Sequence, residues 1–253
     1  MREALPHRDF AGIPVVCANP DRVIEKLQLE IDTSESRNRV VHLLSTHAVA
    51  EAHRNPDFFA SLQDSAWVIP DGRWLQILTR RSASPLQQLR GQDLFQRIIE
   101  PNTAHTRTHY FLLSTESLLE DLRKSPALQG TASTTIAGEV FPHGPLGPLE
   151  RTELAERVVA SGAQVVWFGI SSPRQNIEAQ WISELTKKTV ICVGAALEFS
   201  AGQKPVAPRW VQRIGGEWIH RLLSEPRRLG RRYIFDSLFF ARIAWRHRGS
   251  VFT

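Results

Sequence analysis

A chain of 253 residues, 42% hydrophobic and 23% charged, has the size and balance of one globular α/β domain with a short appendage, which excludes a disordered or fibrous protein. Its net charge of +5 is unevenly placed: residues 206–253 hold ten arginines and no lysine against three acidic residues, a net +7, while the rest of the chain carries 21 basic and 23 acidic groups, a net −2. A near-neutral body with a cationic tail points to an anionic partner for the tail, whether phosphate, membrane or nucleic acid.

The two cysteines, Cys17 and Cys192, are far apart, and Cys192 lies inside an apolar run. No disulfide framework or zinc spacing is visible, which suits a reducing compartment. The first nine residues lack the apolar core of a secretory signal, and no apolar stretch approaches the roughly 18–20 residues that span a bilayer. The expected location is the cytoplasm, or the membrane surface facing it.

Along the chain, short apolar runs alternate with amphipathic stretches. The runs at 40–45, 66–70, 109–114, 133–138, 165–170 and 189–194 are rich in β-branched residues and read as buried strands. Helical patterns fall at 48–63, 73–81, 92–99, 115–124, 150–161 and 174–186. This alternation predicts an α/β fold, a Rossmann-like, mostly parallel sheet flanked by helices over residues 1–205. From about Val206 the texture changes to a basic, aromatic-rich helical appendage, 206–253. Ala207-Pro208 opens a helix there and Pro226 ends it and opens the next.

Ligands of parallel sheets bind at the carboxyl ends of strands. Several predicted strand ends carry polar residues or glycine: Ser45-Thr46-His47, Asp71-Gly72, Gly169 to Pro173, and Gly194. Asp71 in such a place reads as a general base or, more plainly, as a helix N-cap. Gly91-Gln92-Asp93 repeats the combination, with Asp93 either capping a helix or accepting a bond from a substrate hydroxyl. A helix starting after Pro173 would turn its N–H groups and positive dipole end toward an anionic diphosphate, with Gln175 within reach of sugar or phosphate. Close backbone approach to a ligand is one use of the small residues after Gly194; tight packing is the other.

There is no GxGxxG or GxxxxGK[ST] fingerprint, so no dinucleotide cofactor is expected. His105 and His109 are four apart but flank a predicted strand start rather than share a helix face, His42 and His47 straddle a strand, and there is no Asp-x-Asp pair, so no metal is expected. The tail arginines suit bidentate recognition of phosphate. The aromatic residues among them, Trp210, Trp218, Tyr233, Phe235, Phe239, Phe240 and Trp245, suit a membrane interface.

The ordered series Phe168-Gly169, Pro173-Arg174-Gln175, Val193-Gly194, Ala201-Gly202, Ala207-Pro208, Gly216-Glu217-Trp218, Arg221-Leu222 and Glu225-Pro226-Arg227-Arg228 resembles the WecG/TagA/CpsF family of bacterial glycosyltransferases from about Val40 to Arg232. The resemblance implies a metal-independent, inverting transferase. Its expected donor is a UDP-sugar and its acceptor a polyprenyl-diphosphate-linked saccharide, in the biosynthesis of cell-surface polymers such as teichoic acid, common antigen or exopolysaccharide. By position it makes Asp71 the base and Gln175 an active-site residue, and gives Arg221, Arg228 and Arg231 the task of closing over the donor diphosphate. Ser45, Thr46, His47, Gly72, Gly91, Asp93, Gly169, Pro173, Gly194 and Glu198 are the expected substrate-binding set.

The chain departs from the family pattern in four places. Leu43-Leu44-Ser45-Thr46 stands where Thr-x-Asn-Pro is usual, Gln88 where an arginine is usual, Asn176 for a glutamate and Glu198 for an aspartate. Two other readings stay open: an inactive scaffold of the same fold, and a nucleic-acid-binding protein using the arginine tail. The transferase reading itself expects no nucleic-acid partner. It expects a peripheral site on the inner membrane face and leaves a homo-oligomer open.

Overall fold

The structure is a computed structural model that describes residues 4–33, 39–99, 107–129, 135–208, 211, 216 and 226–252, with backbone alone at 127, 129, 135 and 226–234. The chain opens on a hairpin, β1 (His7–Phe10) and β2 (Ile13–Val16), followed by helix α1 (Pro20–Asp32). Both lie before the first element that the pattern of apolar runs picks out. Strand β1 reads His-Arg-Asp-Phe and carries a single apolar residue, so its pairing with β2 leaves no periodic trace. Helix α1 is signalled locally: the Asn19 side chain accepts from Asp21 N–H, Pro20 sits in the first turn, and Val23, Ile24, Leu27 and Ile31 form its buried stripe.

Six strands then form one all-parallel sheet. They are β3 (Arg39–Leu44), β4 (Trp67–Pro70), β5 (Thr108–Leu113), β6 (Thr135–Val140), β7 (Val165–Gly169) and β8 (Thr189–Cys192), in the spatial order β4-β3-β8-β7-β5-β6. Side-chain alternation divides the sheet between two cores. Val41, Phe111, Trp167 and Ile191 face one cluster, and Val40, Tyr110, Val166, Phe168 and Val190 face another. Strands buried on both faces read as unbroken apolar runs, which is why they are visible in sequence. Strand β6 runs to Val140, two residues beyond the expected end, and expected residues 133 and 134 fall outside the described residues.

The helices between the strands are α2 (Thr46–Ala52), α3 (Pro56–Gln63), α4 (Arg73–Thr79), α5 (Gly91–Ile99), α6 (Glu116–Lys124), α7 (Pro126–Gln129), α8 (Pro148–Ala160), α9 (Arg174–Thr186) and α10 (Ala196–Ser200). The helix expected over 48–63 is two helices. The chain breaks at Asn55, whose side chain accepts from the N–H groups of Asp57 and Phe58, and Pro56 supplies the first turn of α3.

The C-terminal segment ends in α11 (Pro226–Arg246) and α12 (Arg248–Phe252). One face of α11 docks on the body: Phe240, Ile243 and Ala244 join Phe10, Ala48, Val49 and Leu75 in a third apolar cluster. Its other face leaves Phe235, Leu238 and Trp245 exposed. The aromatic stretch is thus divided between a docked face and an exposed one.

Two buried histidines set the acid response of the core. His42 is fully buried on β3, where its Nδ1 lies 2.9 Å from Asn176 Nδ2, and burial pushes it down to about 4. His109 on β5 accepts from Trp167 Nε1 at 2.9 Å; burial, aided by the Arg107 charge, also holds it at about 4. Each is neutral when folded and binds a proton more readily when unfolded, so stability is complete above the unfolded value of about 6.5 and falls as the pH drops from there toward 4. Denaturant unfolding at pH 7 and at pH 5 is expected to show a loss of about 1 kcal/mol or more per histidine. Equal stability at the two pH values would contradict this.

Candidate active site

The order of the strands creates the site. The chain leaves β4 at one edge, resumes at β5 toward the other, and inserts β8 last between β3 and β7. The carboxyl ends of these strands consequently open onto one cleft of about 300 Å³. Ser45 and His47 enter it from the end of β3, Asp71 from β4, and Ser114 from β5. The loop Gly169 to Ser172 follows β7, and Val193 to Ala196 follows β8.

Asp71 is half-buried in this cleft. It does not cap the helix that follows it: Gly72 occupies that position, and α4 has no side-chain cap. Instead Asp71 Oδ1 accepts from the N–H of Gly91 at 3.1 Å, at the start of α5. Gln88 Nε2 donates to the Asp71 carbonyl at 2.6 Å, and the Leu89 N–H bonds to the Pro70 carbonyl. The loop returning to α5 is thus stitched to the tip of β4, and the carboxylate is held by backbone rather than by a mobile side chain. Gln88, which stands where the family usually has arginine, is part of this stitching.

Glycine is required at two of these points for different reasons. A Cβ on Gly91 would lie 2.7 Å from Leu43 Cδ1 and 2.9 Å from Ala196 Cβ. Gly194 has φ +52°, a left-handed conformation, and its N–H donates to Gln175 Oε1 at 3.1 Å. The same carboxamide donates from Nε2 to Ser172 Oγ at 3.2 Å. Gln175 lines the cleft, is almost wholly buried, and cross-braces the loops after β7 and β8.

Arg90, Lys204 and His47 of the cleft each face a carboxylate. Arg90 makes a two-pronged contact with Asp93, Nε to Oδ2 at 2.8 Å and Nη2 to Oδ1 at 3.1 Å. Lys204 is paired with Glu198 across the mouth. His47 Nδ1 lies 2.6 Å from Asp236 Oδ2 on α11.

Most of the expected residues converge here. Asp71, Gln175, Ser45, His47, Gly91, Gly169, Gly194 and Glu198 all line the cleft. Thr46 and Gly72 stand just behind the wall: a Cβ on Gly72 would meet Ser45 Cα at 3.4 Å and Thr46 N at 3.6 Å. Asp93 and Pro173 are not among the lining residues. Asp93 acts on the cleft through Arg90. The first N–H groups of α9 bond to the carbonyls of Ser171 and Pro173, and Arg174 turns away to the carbonyl of Pro142, with its guanidinium 4.9 Å from the Phe141 ring. Arg221 lies outside the described residues, as do the side chains of Arg228 and Arg231 on α11. Among the described residues no group of three His, Cys, Asp or Glu side chains could hold a metal ion.

Residues 8–251 match the model of the glycosyl transferase WecG/TagA/CpsF family. The chain belongs to this family. It is also similar to the N-acetylglucosaminyldiphosphoundecaprenol N-acetyl-beta-D-mannosaminyltransferase of Bacillus spizizenii, 24% identical over 185 residues that make up 70% of this chain and 68% of that protein.

As a glycosyltransferase, the chain shows cleft residues that its sequence alone leaves unmarked. Lys204 and Ser114 belong to no motif that the sequence offers. Arg90 stands beside Gly91, so the Gly-Asp motif there could have singled it out.

Gly91→Ala tests how tightly the tip of β4 and the start of α5 fit. Overpacking against Leu43 and Ala196 is expected to cost about 1–3 kcal/mol in denaturant unfolding and to lower transfer activity as Asp71 shifts. An unchanged unfolding midpoint would show that the contact yields freely.

Proposed function

We propose that this glycosyltransferase moves a sugar from a UDP-sugar to a polyprenyl-diphosphate-linked saccharide during assembly of a cell-surface polymer, with inversion at the anomeric carbon. The observation that carries this is the Asp71 carboxylate, fixed by Gly91 N–H in a cleft at the carboxyl ends of parallel strands. The family supports the reaction class, and the Bacillus spizizenii relative, by its name, uses a diphosphoundecaprenol-linked acceptor.

In this mechanism Asp71 removes the proton from the acceptor hydroxyl as its oxygen attacks the anomeric carbon. The bond from that carbon to the diphosphate oxygen breaks on the opposite face, and UDP leaves with the electron pair. The growing negative charge needs cations already in place. Arg90 and Lys204 line the cleft, and Arg221, Arg228 and Arg231 of the appendage are the proposed additions. The polar loop after β7, Gly169 to Ser172, offers hydroxyls for the sugar. Gln175 serves chiefly by holding that loop against Gly194.

The tail brings the enzyme to its lipid-linked acceptor. Phe235, Leu238 and Trp245 are 57%, 67% and 71% exposed on one stretch of α11, beside Arg242, Arg246 and Arg248. Apolar side chains flanked by guanidinium groups suit an interface with anionic headgroups. Among the described residues no helix is long and apolar enough to cross a membrane.

Asp71→Asn is expected to lower UDP release from a UDP-sugar and a short-chain polyprenyl-diphosphate saccharide by about 10²–10⁴-fold, as loss of a general base does. UDP affinity should change little; undiminished turnover would remove Asp71 from the chemistry. Leu238→Glu with Trp245→Glu should sharply reduce co-sedimentation with vesicles containing anionic lipid. Full retention on the vesicles would place the membrane contact elsewhere.

A further inference from the structure

Among the described residues, α11 reaches the wall of the cleft through a buried carboxylate. Asp236 lies on α11 and is 7% exposed. It accepts from α2 and from the turn that follows it: His47 Nδ1 reaches Oδ2 at 2.6 Å, and Arg54 Nη1 reaches Oδ1 at 2.6 Å. The two arms do different things. Arg54 is remote from the cleft and sandwiches its guanidinium against Phe239, 4.4 Å from the ring centre, so it serves docking. His47 is in the wall of the cleft, in the first turn of α2 and two residues after Ser45.

A carboxylate only accepts hydrogen bonds, so Nδ1 of His47 carries the proton in this pair. That sets the tautomer and the plane of the ring. The ring would otherwise rotate about its side-chain torsions, since His47 is only partly buried. A carboxylate sunk into an interface is costly unless both oxygens are satisfied. The pair with Arg54 meets part of that cost and thereby keeps Asp236 in place for His47.

We propose that Asp236 is a positioning residue for the transfer reaction: seated by Arg54, it orients His47 in the cleft wall so that Nε2 accepts from a hydroxyl of the nucleotide-sugar donor. This rests on the donor chemistry of the preceding reading. Its consequence is that the cleft is correctly shaped only when α11 is docked on α2, which couples the outward-facing helix to the catalytic centre.

Asp236→Asn nearly preserves size but leaves a single acceptor oxygen for two donors. The test is a double-mutant cycle with four full-length proteins: wild type, Asp236→Asn, His47→Gln and the double variant. The readout is kcat/KM for UDP release, with thermal unfolding to show that each is folded. Asp236→Asn is expected to lower kcat/KM by about tenfold in the wild-type background and by less than about twofold in the His47→Gln background, because the residue acts through His47. If His47→Gln leaves no measurable turnover, the same comparison is made on UDP affinity.

Equal losses in the two backgrounds, or no loss in either, would overturn the inference and reduce Asp236 to a docking residue. Should Asp236→Asn fail to fold, Asp236→Glu keeps the charge and both oxygens while displacing them by one methylene, and it is judged by the same comparison. A wild type that turns over no UDP-sugar would instead remove the reading on which the inference stands, and the inference with it.

Discussion

The bond from the Gly91 amide to the Asp71 carboxylate joins the end of β4 to the start of α5, and the active site is arranged around it. A parallel sheet brings several strand ends together, but by itself it does not hold a carboxylate at a set height and angle. Here the backbone does so, through Gly91 on the side chain and through Gln88 and Leu89 on the adjoining carbonyls. The absence of a side chain at position 91 is what permits this approach, because Leu43 and Ala196 occupy the space a Cβ would need. Packing between three neighbouring elements thus becomes the placement of one carboxylate.

The opposite side of the cleft follows the same logic with a different device. Gln175 is buried at the start of α9, and its carboxamide ties Ser172 to Gly194. The loops after β7 and β8 are therefore one unit, and the serine hydroxyls they carry are held rather than free to wander. In the cleft, Arg90 is paired with Asp93 and Lys204 with Glu198. Pairing keeps the guanidinium and ammonium groups pointed and limits the cost of desolvating them before an anionic substrate arrives.

What could be read from sequence follows from where the physics is local. Strands β7 and β8, buried on both faces, appear as apolar runs, and α9 begins after Pro173 and ends near the left-handed Lys187 as its pattern suggests. The Asp71-Gly72 and Gly91 positions stand out because a glycine beside a strand end has few other uses. Contacts that depend on distant parts of the chain are not legible in this way. Nothing in the first turn of α9 says that Arg174 will fold back over Phe141, and nothing near Asp236 says that its partner is His47, 189 residues earlier. Hairpin β1–β2 is missed for a related reason: with one apolar residue in β1 and a proline in β2, it shows no strand period and owes its form to the cluster it joins.

The central claim is that a single carboxylate acts as base in a direct displacement. Asp71 and Glu198 are the carboxylates lining the described cleft, and Glu198 is engaged by Lys204. The most direct test is the anomeric configuration of the first product, read by NMR after transfer from an α-linked UDP-sugar. One displacement driven by Asp71 predicts the β-linked product. An α-linked product would require a covalent intermediate or front-face attack and would contradict the account.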